Sequence, residues 1–197
     1  MSFSSLGLSD SLLRALNELG YETATPIQEK AIPLVLKGGD LLAAAQTGSG
    51  KTAAFVLPIL QRFAESKDSS EVAPALILVP THELAIQVGA SIERYSKDLE
   101  KQPRTLVAFG GGSIDAQIKT AREGVDFVVA TPGRLLDLVE RGDLSLPTIG
   151  VLVLDEADRL LALGFTDELN AILDLLPAER QNLLFSATFP PAVVSMA

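Results

Sequence analysis

Cysteine is absent from the 197 residues, and so is tryptophan. Without a thiol there is no disulfide framework, no thiolate metal site and no cysteine nucleophile, which suits a reducing compartment. A single histidine, His82, excludes a multi-histidine metal cluster. Every apolar stretch is broken well short of a membrane span. The opening Met1-Ser2-Phe3-Ser4-Ser5 has neither the basic region nor the apolar core of a secretory signal, so the expectation is a cytoplasmic protein with no membrane partner. Basic residues are scarce, 16 against 25 acidic, for a net charge of −9. A broadly basic surface that holds nucleic acid by charge alone is excluded, and any contact with a polyanion has to be local. What the chain does have is 47% apolar residues, enough at this length for one sizeable core, and a single domain is expected.

Patterning gives the fold class. Leu12, Leu13, Leu16 and Leu19 share one face of a helix over 9–19, with Ser9 or Asp10 to cap its start and Gly20 to close it. A second helix starts near Pro26. Short apolar runs at 41–44, 75–79, 105–109, 127–130, 151–154 and 182–185 read as buried strands. Between them, Leu84, Val88, Ile92, Tyr95 and Leu99 are spaced 4, 4, 3 and 4 apart, and Leu169, Ile172, Leu173 and Leu176 make another apolar face. The polar stretch 65–71 reads as a solvated loop. Strands alternating with helices predict an α/β fold, a parallel sheet flanked by helices on both faces, with ligands gathering at the carboxyl ends of the strands.

Two motifs sit at such strand ends. Ala45-Gln46-Thr47-Gly48-Ser49-Gly50-Lys51-Thr52 joins an apolar run to an amphipathic one. A loop of this kind turns backbone N–H groups inward at a helix N-terminus, where a polyphosphate sits. Thr47, Gly48, Ser49 and Gly50 would form the cradle, Lys51 would reach the β- and γ-phosphates, and Thr52 would ligate Mg²⁺. The strict template has glycine where this chain has Ala45. About a hundred residues on, Val151 to Leu154 run into Asp155-Glu156-Ala157-Asp158. In a phosphate-loop enzyme, an aspartate there holds Mg²⁺ through its water shell and the adjacent glutamate orients and deprotonates the attacking water. Asp155 and Glu156 take those roles, and Lys51, Asp155 and Glu156 are the catalytic candidates.

With those four letters, the chain resembles the DEAD-box RNA helicases along its whole length. Gly20-Tyr21-Glu22-Thr23-Ala24-Thr25-Pro26-Ile27-Gln28, with Phe3 seventeen residues before Gly20, is similar to the adenine-reading Q motif of that family. The amide of Gln28 can donate to one adenine edge atom and accept from another, selecting ATP over GTP, with an aromatic such as Tyr21 near the base. Pro80-Thr81-His82-Glu83-Leu84-Ala85, Gly110-Gly111 and Thr131-Pro132-Gly133-Arg134 resemble the segments that face RNA. The resemblance implies contacts from Pro80, Thr81, Gly110, Gly111, Thr131, Pro132, Gly133 and Arg134 to the backbone of one strand, without base reading. Ser186-Ala187-Thr188 resembles the motif that couples nucleotide state to strand separation, through bonds to the turn holding Asp158. The opening and Leu163-Gly164-Phe165 resemble bacterial helicases of the RhlE type.

The chain departs from the family pattern at His82, where arginine is usual. Arginine is a permanent charge with five donors and a neutral imidazole offers one, so the implied RNA contact is weaker, or strengthens as pH falls if His82 faces phosphate. A solvated helix-start histidine is the other reading. The resemblance implies a RecA-like phosphate-loop NTPase domain over 1–197, with a Q-motif region at 1–37 and a core at 38–190. The second RecA-like domain, which would supply arginine fingers and half the RNA surface, is expected to be missing, so that ATP is bound but poorly hydrolysed. Weak self-association through the face that domain would cover is conceivable. Two other functions stay open: a DNA-directed RecA-like translocase, and a non-enzymatic nucleotide-sensing module.

Overall fold

The computed structural model describes residues 1–67 and 74–197. Most of the expected polar loop, 68–71, lies outside the described residues, and its first residue, Glu65, is the last of a helix. After a short 3-10 turn at Phe3–Ser5 come α1 (Asp10–Glu18), α2 (Pro26–Leu36), β1 (Leu41–Ala44), α3 (Lys51–Glu65), β2 (Ala75–Leu78) and α4 (His82–Ser96). The chain continues through β3 (Thr105–Ala108), α5 (Ile114–Arg122), β4 (Phe127–Ala130), α6 (Pro132–Glu140) and β5 (Val151–Leu154). It closes with α7 (Ala157–Ala162), α8 (Thr166–Leu175), β6 (Gln181–Ser186) and α9 (Pro191–Val194). The six expected strands are present, two of them ending a residue early. Helices α5, α7 and α9 are too short or too polar to show an apolar period; α5 buries only Gln117 and Ala121.

The sheet is parallel throughout, in the order β1-β6-β5-β2-β4-β3. Its middle strands are buried on both faces, which is why β2, β4 and β5 read as unbroken apolar runs. Side chains alternate along each strand, so one tetrapeptide serves two cores. Ile77, Val129 and Val153 face the core built by α1–α4 around Leu12, Ile32, Phe55 and Ile92. Leu76, Val128 and Leu152 face the other, built by α5–α9 around Leu135, Leu160 and Ile172. No described helix is long and apolar enough to cross a membrane.

Some helix starts follow local chemistry and others do not. Thr81 Oγ1 accepts the N–H of Leu84 at 3.3 Å, and Pro132 occupies the first position of α6 after Thr131. Ser9 occupies the N-cap of α1, but its hydroxyl makes no capping bond. A long-range tie sits where β6 begins. The amide of Gln181, almost fully buried, donates to the carbonyls of Val35 at 3.1 Å and Gly39 at 2.7 Å and accepts from Arg62 at 2.7 Å. It pins the end of α2 and the entry to β1 against the sheet. Gln181→Leu keeps the volume and strands these partners, which costs about 1–3 kcal/mol; thermal melting should show a fall of several degrees, and an unchanged melting temperature would refute the tie.

Candidate functional site

Because all six strands are parallel, the segment after each lies on one rim of the sheet. At one end β1 runs out into the Gly-rich loop. The backbone at Gly48 (φ 80°) and Gly50 (φ 85°) is left-handed, so those two positions need glycine, whereas Ala45 is outside that region and needs none. Ala45 instead extends the sheet, donating its N–H to the carbonyl of Ser186 at 3.0 Å. Gly50 is also hemmed in: a Cβ there would lie 2.5 Å from Nε2 of Gln28 and 2.9 Å from Oγ1 of Thr25. Gln28 explains the closeness. Its Oε1 accepts the N–H of Thr25 at 2.9 Å, capping α2, while its Nε2 donates to the Gly50 carbonyl at 3.1 Å. One lone pair and one N–H of this amide stay free.

Lys51 opens α3 and is buried, as is Asp155 at the end of β5. Nζ of Lys51 lies 3.0 Å from Oδ1 of Asp155 and 3.2 Å from Oε1 of Glu156. Burial pushes the Asp155 carboxyl above its ordinary range, against the pull of Lys51. Apart from that contact, neither oxygen has a well-formed hydrogen bond among the described residues. Glu156 is the one described non-glycine residue with left-handed backbone, φ 52°, and this turn carries its carboxylate back to Lys51. Its second oxygen meets Nη1 of Arg159 at 3.3 Å.

Asp158 reaches the end of β6. Its Oδ2 accepts the hydroxyl of Thr188 at 2.8 Å and the Thr188 N–H at 3.1 Å, and its own N–H donates to Oγ of Ser186 at 3.2 Å. Burial raises the Asp158 carboxyl, and these bonds outweigh burial and hold it below the ordinary range. Beside the loop opens a cavity of about 450 Å³, lined by Phe3, Tyr21, Gln28, Thr52 and Glu156 among others. Phe3 is buried in its wall, and Tyr21, 44% exposed, leans on Tyr95 with ring centroids 6.3 Å apart.

At the other end of the rim lie the segments after β2, β4 and β3. Thr81 and Thr131 both occupy helix N-cap positions, so the first N–H groups of α4 and α6 open onto this rim. The Gly110–Gly112 turn lies beside them. The His82 ring stacks on Phe109, centroids 5.9 Å apart, and its Nε2 lies 3.0 Å from Oε1 of Glu83.

A family model described as DEAD/DEAH box helicase matches residues 25–196. The chain belongs to the DEAD/DEAH box helicase family. Among curated relatives of this helicase-family chain, the ATP-dependent RNA helicase CshA of Listeria monocytogenes is 48% identical over 191 residues, 97% of this chain and 36% of that protein. The ATP-dependent RNA helicase DeaD of Escherichia coli is 45% identical over 192 residues, 98% of this chain and 30% of that protein. The chain thus spans about a third of the length of these relatives. A solved structure of a hypothetical ATP-dependent RNA helicase from Sulfolobus tokodaii superposes with a TM-score of 0.86 at 34% identity, covering 95% of this chain and 53% of that one. The RecA-like helicase fold of the α/β class is shown by that match.

In this DEAD-box domain the structure brings the nucleotide candidates Phe3, Tyr21, Gln28, Thr47, Gly48, Gly50, Lys51 and Thr52 and the catalytic candidate Glu156 around one cavity, which Ser49 does not line, with Asp155 against Lys51. It adds a wall that the motifs did not disclose: Gln87, Arg94 and Tyr95 of α4 line the same cavity. Gln87, Ser91 and Arg94, spaced 4 and 3 apart, form a polar stripe on one face of α4 with Tyr95 at its edge, visible in the sequence only once the register of α4 is known. Arg159 and Gln117 were missed as well.

Two substitutions test the geometry. Gly50→Ala places a methyl against Gln28 in left-handed backbone, and calorimetry should show nucleotide affinity falling tenfold or more with only a modest loss of stability, roughly 1–2 kcal/mol of it from backbone strain. An unchanged affinity would mean that Gly50 and Gln28 are not in contact. For Asp155 the folded-state carboxyl lies above its ordinary value, so its ionised form costs stability at neutral pH and the cost fades as pH falls into the ordinary carboxylate range. The stability of the parent relative to Asp155→Asn, in which the buried Lys51 keeps Glu156 as its carboxylate partner, should therefore rise as pH falls from neutral into the ordinary carboxylate range; a relative stability that falls over that range would contradict the burial argument.

Proposed function

We propose that residues 1–197 form one RecA-like domain, the ATP-binding amino-terminal half of an RNA-dependent ATPase that separates short RNA duplexes. The observation that carries this reading is the cluster of Lys51, Asp155 and Glu156 beside a cavity that Gln28 also lines. The names of the relatives, ATP-dependent RNA helicases, support it.

The chemistry follows from what each side chain has to spare. The ammonium of Lys51 now rests on two carboxylates, and the phosphates of ATP would draw it off them. Thr52, Asp155 and bound phosphates are all hard oxygen donors, a set that fits Mg²⁺, which takes few protein ligands and keeps its waters. Asp155, deeply buried with two poorly satisfied oxygens, is suited to such a cation. When bound, the ion would offset phosphate charge. Glu156, released by Lys51 yet still held by Arg159, would take a proton from the attacking water. Thr47, Gly48, Ser49 and Gly50 would wrap the phosphates, and the free N–H and lone pair of Gln28 match the acceptor and donor of an adenine edge, with Phe3 and Tyr21 beside the base.

RNA would lie along the rim over Pro80, Thr81, Gly110, Gly111, Thr131, Pro132, Gly133 and Arg134, held by backbone N–H groups, hydroxyls and one guanidinium rather than by a basic surface. Asp158, Ser186 and Thr188 would report nucleotide state from β5 to β6. Hydrolysis by this half alone would be slow, since an arginine finger is worth roughly 10³–10⁵ in related systems and would come from a second domain. A cytoplasmic location fits the reading.

Calorimetric titration with ATP, ADP and GTP in Mg²⁺ tests it. Binding of the adenine nucleotides with GTP weaker is expected, and equal affinity for GTP would remove the role of Gln28. Lys51→Ala should lose measurable binding. Glu156→Gln should keep binding and abolish the residual hydrolysis; retained turnover would overturn its role as base.

A further inference from the structure

Gln117 lies on α5, in no motif, yet its side chain is buried and both of its polar atoms are spent on the RNA-facing rim. Its Oε1 accepts from Nη1 of Arg134 at 2.8 Å, and its Nε2 donates to the carbonyl of Phe109 at 3.3 Å. Nη1 of Arg134 also donates to the carbonyl of Gly112 at 3.4 Å. One amide thus joins the first turn of α6 to both flanks of the Gly110–Gly111 turn. Packing tightens the joint, because a Cβ on Gly112 would lie 2.9 Å from Nε2 of Gln117. The ring of Phe109 in turn carries His82, so the third rim segment rests on the same support.

Arg134 is itself only 14% exposed, and Asp137, at 3.9 Å from its Nε, is a distant partner. Of five guanidinium donors, Nη1 supplies the two spent on Gln117 and Gly112, which leaves the Nη2 edge for an anion. We infer that Gln117 is a positioning residue for RNA binding, aiming Arg134 and holding the Gly110–Gly111 turn so that guanidinium and backbone N–H groups meet one sugar-phosphate strand. The inference rests on the RNA reading proposed above. The chemistry selects an amide: glutamate would accept from Arg134 while neutralising it and would leave the Phe109 carbonyl unpaired, and an apolar side chain would strand both partners.

The test is fluorescence anisotropy with a labelled oligouridine at several salt concentrations, on the parent chain, Gln117→Met, Gln117→Glu, Arg134→Gln and the double variant Gln117→Met/Arg134→Gln. Gln117→Met should weaken RNA binding roughly tenfold in the parent but only about threefold once Arg134 is gone, the remainder coming from the Gly110–Gly111 turn, the non-additivity of residues acting partly through one another. Gln117→Glu, the isosteric variant that decides the matter if Gln117→Met fails to fold, should weaken it further and lower the salt slope by about 1, as Arg134→Gln does. Nucleotide affinity should stay within about twofold throughout. Additive effects, or full RNA affinity in Gln117→Glu, would overturn the role of Gln117 alone. A parent chain that fails to bind the oligouridine at low salt would overturn the RNA reading and this role with it.

Discussion

The contact between Lys51 and Asp155 is the constraint on which the rest of the site depends. Two charges with almost no exposure are tolerable only if they meet, because an unpaired buried charge costs several kcal/mol. Meeting requires that the loop after β1 and the end of β5 converge, although β6 lies between those strands. The Gly-rich loop bridges that distance by turning through left-handed backbone, and Glu156 adopts the same region to add a second carboxylate. The result is an excess of negative charge around one ammonium. On the proposed function such a pairing is a holding state, in which Lys51 would move to the denser negative charge of a phosphate and leave its carboxylates for a cation.

Strand order then divides the labour of the rim. Read across the sheet, the segments after β1, β6 and β5 are the Gly-rich loop, the Ser186-to-Thr188 turn and the Asp155-to-Asp158 turn, and those after β2, β4 and β3 are the three other segments. Motifs scattered over the chain therefore fall into two contiguous halves. The boundary lies between β5 and β2, which pair along their length, and the N–H of Asp155 donates to the carbonyl of Leu78 at 3.0 Å. Helix α4 spans the same boundary, with Thr81 at its start on one half and Gln87, Arg94 and Tyr95 lining the cavity of the other. On the proposed function, a ligand in either half leans on an element that the other half also uses.

Much of this is legible in the sequence. Buried parallel strands announce themselves as short apolar runs, and the glycines and lysine of the loop carry their geometry with them. What escaped was of another kind. Gln117 acts through a pairing across 17 residues, and the α4 stripe through a cavity shared with residues tens of positions away, neither of which a local pattern encodes, while Arg159 meets a Glu156 whose direction is set by a left-handed turn. The motif points the amide of Gln28 at an adenine edge, and the structure shows half of that amide already committed to capping α2 and to holding Gly50. Short helices such as α5 escaped because a two-residue buried face leaves no period to detect.

A chain with net charge −9 that is to hold RNA has to concentrate its grip, and the surroundings of His82 show how little of it comes from free charge. The imidazole faces Glu83 at 3.0 Å and lies on Phe109, so a cation at this position is offset by an acid of its own turn. Arg134, the other side chain on this rim suited to phosphate, is enclosed by a carbonyl and an amide rather than by a close carboxylate. Neutral partners orient a guanidinium without discharging it. The two positions thus have opposite electrostatic outcomes: at 82 the side chain is spent on local packing, and at 134 the positive charge is conserved and aimed. On the proposed function, attraction for a phosphate strand on this rim would rest on Arg134 and on helix-start N–H groups, the arrangement an acidic domain requires to hold a polyanion at one place and repel it elsewhere.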